Sequence, residues 1–144
     1  MKRSALVEPI LIAEVNETPV RFFAPPDGRP SFAWAAIADV ALAARYPEPR
    51  NPSFLVDLLR DAGDDAARIN TPDGSESVVA FWLAKAFFDG AVLIGAIEQS
   101  VGRAFVREAA IATSTLIDPR RAPLERYLVQ ARIRHDTSMT RFMP

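Results

Sequence analysis

Apolar positions recur along this chain with more than one spacing, and each change of spacing marks a new element. Within Leu6–Val15, Ile10 and Ile12 alternate with Leu11 and Ala13, the two-residue period of a strand. Val20, Phe22 and Ala24 alternate with Arg21 and Phe23, which predicts a second strand with one face on a core. Asn16-Glu17-Thr18-Pro19 supplies the turn between them, so an antiparallel hairpin is expected. Pro25-Pro26-Asp27-Gly28 then turns the chain again. Proline presets φ, aspartate bonds back to nearby N–H groups, and glycine accepts φ > 0. After Phe32 the period lengthens. Trp34, Ile37, Val40, Ala41 and Ala44 share one face of a helix predicted over 34–45, with Pro47 stopping it. The stretch Thr18–Tyr46 thus reads as strand, tight turn, short strand and amphipathic helix. The rest of the fold is expected to build against it.

Three prolines in the six residues Pro47–Pro52 make a connector. Ser53 can cap a helix through Ala62 that carries Phe54, Leu55, Leu58 and Leu59 on one face, with Gly63 as its C-cap. Arg68–Thr71, Pro72-Asp73-Gly74 and Glu76–Phe81 predict a second hairpin whose turn repeats the Pro-Asp-Gly of residues 26–28. Trp82–Phe88 fits a continued strand or a helix. Ala84, Lys85 and Ala86 favour the helix, which Asp89-Gly90 would end. Ala91–Ile97 is too short and too apolar to assign by period. Val101, Phe105, Ala109, Ala112 and Leu116 form the stripe of a helix over 102–117, ended by Pro119. A further short helix through Leu124, Tyr127, Leu128 and Ala131 would follow Pro123, and residues 136–144 read as a tail. The expected fold is α+β: a small antiparallel sheet of hairpins packed with several helices. It forms a single domain over 1–135 with a C-terminal helical extension from about 119. The helices at 34–45 and 102–117 should pack on the sheet through Trp34, Ile37, Val40, Phe105 and Ala109.

At 144 residues the chain is long enough for one core without metal or disulfide staples. The absence of cysteine excludes disulfides, thiolate metal sites and cysteine nucleophiles, and it suits a cytoplasmic protein. Behind the basic Met1-Lys2-Arg3, the residues Glu8, Pro9 and Glu14 interrupt the apolar run, so no signal peptide is expected. Val78–Ala84 and Ala91–Ile97 fall far short of the ~20 residues of a membrane span. The net charge of −1 is unevenly distributed. Residues 1–100 hold 9 Lys/Arg against 14 Asp/Glu, while residues 101–144 hold 8 against 4. This polarity is that of a basic face for an acidic partner or of an ordinary solvated surface.

Candidate chemistry is sparse. His135 is the single histidine, so a histidine-based triad or a zinc ligand set has little to draw on. Asp57 and Asp61 stand one helical turn apart, and Asp64 and Asp65 follow. The four form a candidate hard-metal cluster or a solvated acidic helix end, with a spacing that matches no calcium loop. Gly90, Gly95 and Gly102 make neither a dinucleotide fingerprint nor a phosphate loop. No cofactor and no metal are expected. Arg103 and Arg107 lie one turn apart on the polar side of their helix, placed either to grip phosphate or to pair with Glu98 or Glu108. Arg120, Arg121, Arg126, Arg132 and Arg134 form a second basic region. Trp34 and Trp82 sit in apolar contexts and are expected in the core.

The order Val20-Arg21-Phe22, Asp27-Gly28-Arg29-Pro30-Ser31-Phe32 and Ala38-Asp39-Val40 resembles the Bro-N domain of virus and prophage regulators. Asp64-Asp65, the Ile69–Phe81 hairpin, Trp82–Phe88 and Arg103-Ala104-Phe105-Val106-Arg107 continue that resemblance, which covers about residues 12–117. Where the family carries a tryptophan after these arginines, this chain has Glu108 and then Ala109. The resemblance implies a non-enzymatic antirepressor-type regulator that binds DNA or interferes with a repressor or host protein. Arg103, Arg107, Arg120 and Arg121 would be its phosphate contacts. A module for protein contact or self-association, including a homodimer with no nucleic acid, is the second class, and the pI of about 5.8 is low for a DNA binder.

Overall fold

The alternation of residues 11–23 closes into a hairpin in the computed structural model, which describes residues 6–28, 31–46 and 59–116. Strand β1 (Leu11–Val15) pairs antiparallel with β2 (Thr18–Phe23), and Val15 lies opposite Thr18 across a loop of Asn16 and Glu17. Both loop residues have positive φ, 54° and 63°, as a type I′ turn requires. Asn16 tolerates this conformation and donates its side-chain Nδ2–H to Ala43 O at 2.9 Å, whereas Glu17 has no such compensation. Glu17→Gly is therefore expected to stabilise the protein by about 1 kcal/mol, raising Tm by about 3 °C in a thermal melt. The turn takes two residues of the four expected, because Thr18 and Pro19 belong to β2.

The chain continues with β3 (Trp34–Ala36), α1 (Ile37–Ala43), a 3₁₀ turn at Gly63–Asp65, β4 (Ala66–Thr71), β5 (Gly74–Val79), α2 (Phe81–Leu93) and α3 (Gln99–Ser114). The five strands form one sheet in the order β1-β2-β3-β5-β4, with every neighbouring pair antiparallel. The fold is thus a small antiparallel sheet packed with helices, α+β as expected. The second Pro-Asp-Gly turn is tight: Pro72 and Asp73 join β4 to β5, and Thr71 Oγ1 accepts Asp73 N–H at 3.1 Å and donates to Gly74 O at 2.8 Å. The first bends at Gly28 (φ 74°), whose N–H reaches Pro25 O, within the longer connection from β2 to β3.

Four boundaries differ from the sequence pattern. Trp34 to Ala36 are strand, not helix, because these residues pair with β2 on one side and β5 on the other. A backbone committed to two ladders overrides a helical side-chain period. The first strand starts at Leu11, although Ile10 N–H still bonds Phe22 O of β2 at 2.8 Å; further back, Val7 lies at the opposite edge of the sheet, where its N–H bonds Asn70 O at 2.7 Å. Helix α2 runs through Asp89-Gly90 to Leu93 and is closed by Gly95, whose φ of 75° permits the bonds Gly95 N–H to Val92 O and Ala96 N–H to Ala91 O. Gly90 weakens a helix by only about 1 kcal/mol, and the burial of Ala91 continues the inner stripe beyond it. Helix α3 stops at Ser114, well before Pro119. Its last turn is rich in hydroxyls that bond back to the helix: Thr113 to Ala109 O, Ser114 to Ile111 O and Thr115 to Ala112 O.

Both faces of the central strands are buried. Val20, Phe22, Ala35 and Val79 face the helices, whereas Phe23, Trp34, Ala36 and Val78 form a second cluster against Val7, Ala67 and Ile69. The Phe22-Phe23 and Val78-Val79 doublets follow from this, since successive side chains leave a strand on opposite faces. Phe23 therefore does not face solvent, as a strand with one core face would have required. Residues 59–62 are helical and Gly63 has φ 59°, in keeping with a helix ended by glycine. The connector 47–52, Ser53 and the start of that helix, the extension from about 119 and the tail 136–144 lie outside the described residues.

Candidate functional site

Helix α3 is positioned by its inner face. Phe105 is buried and stacks on Phe22 of β2 (ring centroids 5.7 Å apart) and on Phe88 (4.5 Å) and Phe81 (6.0 Å) of α2. At the far end, buried Thr113 Oγ1 accepts Ala33 N–H at 2.9 Å and donates to Ala109 O at 2.7 Å, which holds the helix to the strand connection. With Phe105, Val106, Ala109 and Ala112 inward, the helical repeat turns Arg103, Arg107 and Ile111 outward in one row, and all three are exposed. Neither arginine forms an ion pair with Glu98, Glu108 or any other described residue. Arg120, Arg121 and His135 lie outside the described residues.

The described part of the chain is acidic. The described residues hold 7 Lys/Arg against 13 Asp/Glu, a net charge of −6. Of the cations, Lys85 is paired with Asp89, Arg68 Nη1 bonds Ser77 Oγ at 3.3 Å, and Arg21 is held by carboxylates. Asp57 lies outside the described residues, and Asp61 and Asp64 are exposed. Among the described residues, no group of three or more His, Cys, Asp or Glu is arranged to hold a metal ion.

The densest polar cluster is one that sequence reasoning did not assemble. Strand β3 ends at Ala36, and past that point β2 and β5 lie on either side of the first turn of α1. Asp39, in that turn, accepts Arg21 N–H at 3.0 Å, Arg21 Nε–H at 2.9 Å and Arg21 Nη2–H at 3.2 Å. Arg21 reaches on to Glu76 of β5 at 3.0 Å and to within 3.8 Å of Asp73. The hydrogen bonds to Asp39 outweigh burial and, with Glu76 adding, hold the Arg21 pKa above the ordinary arginine value. The cluster closes the gap where the central strand stops. An arginine saturated by carboxylates offers no free charge to an anion. Its sequence signal is an arginine inside an otherwise apolar strand. Arg21 and Asp39 are also two residues of the Val20-Arg21-Phe22 and Ala38-Asp39-Val40 pattern, so in this chain those segments meet at a structural contact.

Trp34 is buried, but Trp82 is 54% exposed. The core position expected for Trp82 is taken by its neighbours, because the phase of α2 sends Phe81, Leu83, Ala84, Phe87 and Phe88 inward. No helix among the described residues is long and apolar enough to cross a membrane. No protein-family model, curated protein or solved structure matches the chain.

Proposed function

We propose that this chain is a cytoplasmic, non-enzymatic regulatory module of the Bro-N kind that acts by contact with another protein, presenting the Arg103–Arg107–Ile111 row of α3. The observation that carries the reading is the net charge of the described residues. A net −6 over the described residues repels a DNA backbone, while two arginines without an ion pair among the described residues, beside an exposed isoleucine, suit a protein surface carrying carboxylates. Arginine is enriched at the energetic centres of such contacts because its planar fork binds carboxylates in pairs of hydrogen bonds. The resemblance supports the same class, since interference with a repressor by protein contact is one of the two activities it implies.

The second reading, DNA binding, is favoured by the exposure of Arg103 and Arg107 and by their lack of ion pairs among the described residues. A fluorescence-anisotropy titration against random duplex DNA separates the two. The protein-contact reading expects no binding at ~50 mM salt, where phosphate contacts are strongest. Binding that is lost in the Arg103→Ala/Arg107→Ala double variant, with each removed contact lowering the salt slope by about one unit, would establish the DNA reading in its place.

A further inference from the structure

Strand β5 outlasts its central neighbour. β3 meets β5 at Ala35 opposite Val79 and Ala36 opposite Val78, and then gives way to α1. β4 and β5 stay paired well beyond that point, out to Thr71 opposite Gly74. Residues 68–77 therefore project as an arm in which β5 has a strand on one side only. Thr71 is the one buried residue among them, and its hydroxyl bonds within the turn, to Asp73 N–H and Gly74 O. The bond from Arg68 Nη1 to Ser77 Oγ is likewise internal to the arm. A segment with few buried side chains and an exposed ladder is one that opens locally at low cost.

What ties the arm to the body is small in extent. Ile69 is half-buried against the second apolar cluster, and Asn70 O accepts Val7 N–H at 2.7 Å. Across the gap left by β3, Arg21 Nη2–H donates to Glu76 Oε1 at 3.0 Å. Arg21 is itself fixed to the body, by its place in β2 and by its hydrogen bonds to Asp39 of α1. The Arg21 and Glu76 side chains are only 15% and 23% exposed, so water screens this contact less than a surface pair. Asp73, 77% exposed and 3.8 Å from Arg21, adds little. A hairpin as short as the arm is marginal in water by itself. Its detachment from the body and the melting of its ladder are then one event, which takes Ile69 away from the cluster of Phe23, Trp34 and Val78.

We propose that residues 68–77 open as a unit before the rest of the fold, with the Arg21–Glu76 contact as the latch, so that the second apolar cluster is uncovered on one side without global unfolding. The latch shares no residue with the Arg103–Arg107 row and stands or falls independently of the function proposed for that row.

Hydrogen exchange of the native full chain, followed amide by amide in low concentrations of urea, tests this. The protected amides of 68–77 should exchange at least about tenfold faster than those of β2 and the middle of α3. Their rates should depend only weakly on urea, because opening the arm exposes little surface, whereas β2 and α3 should carry the steep dependence of whole-chain unfolding. Glu76→Ala should speed exchange in the arm by a further tenfold or so, the effect of losing a hydrogen bond to a charged group. Glu76→Gln, which keeps an acceptor without the charge, should fall between that variant and wild type. Asp73→Ala should change the arm by less than about twofold. Arm amides with the same rates and the same urea dependence as β2 and α3 would overturn the proposal, since the arm would then open only with the whole. Exchange in the arm that is unchanged by Glu76→Ala, or changed as much by Asp73→Ala, would overturn the latch.

Discussion

Phe105→Ala is expected to lower the stability of this protein by about 3–5 kcal/mol, the range for emptying a buried aromatic site. Phe105 is 1% exposed and its ring meets three others, Phe22 from the sheet and Phe81 and Phe88 from α2. Truncation therefore removes the contact that joins three elements, and rings held from opposite sides cannot collapse into the space. Against a total of about 5–15 kcal/mol for a domain, this is a large fraction. Urea titration should show the loss as a lower midpoint with an unchanged slope if the variant still unfolds in one step. Phe105→Leu, which keeps most of the volume, should lose less than half as much. Equal losses for the two variants would show that the stacked geometry, not the filled volume, is what matters there.

Asp39→Ala should cost about 3 kcal/mol, the lower end of the range for removing one partner of a buried ion pair, because its side chain and that of Arg21 are only 13% and 15% exposed. The loss has two sources: an arginine left with Glu76 as its one close carboxylate, and an Arg21 N–H left without its acceptor in the gap where β3 ends. Asp39→Asn keeps an acceptor for that N–H and removes the charge, so it should fall about halfway between wild type and Asp39→Ala. The pH dependence follows from the direction of the Arg21 shift. A pKa raised on folding contributes stability that is complete below the unfolded value and disappears only as pH rises through the folded one. For an arginine raised above its ordinary value, that window lies beyond the accessible range. Its contribution should therefore be constant from neutral pH to pH ~10, where denaturant midpoints of Asp39→Ala and wild type should keep a constant separation.

Several features were legible because they are local. The alternation of residues 11–23, the Pro-Asp-Gly turns and the stripe from Val101 to Ala112 depend on periods of two and 3.6 and on the φ preferences of proline and glycine. The boundary at Trp34 was not legible, because a tryptophan three residues before Ile37 fits a helical face as well as a strand. The choice was made by β2 and β5, far away in sequence, which claim the backbone of Trp34–Ala36 from both sides. The exposure of Trp82 was hidden for a related reason. Val78–Ala84 is apolar throughout, so nothing within it says which side chains turn inward once β5 gives way to α2.

The candidate site divides in the same way. That Arg103 and Arg107 lie opposite Phe105 followed from helical spacing, and they do stand outward in the fold. That Arg21 is bound to Asp39 and Glu76 could not be read from spacing, since 18 and 55 residues separate the partners. By itself, then, the sequence determined the antiparallel hairpins, the inward stripe of α3 and the absence of thiol chemistry, all of which depend on neighbours in the chain or on composition. Only the tertiary structure decided the strand order, the burial of both sheet faces, the carboxylate-locked Arg21 and the exposure of Trp82 on α2, because each depends on which distant segments compete for the same backbone groups and the same apolar surface.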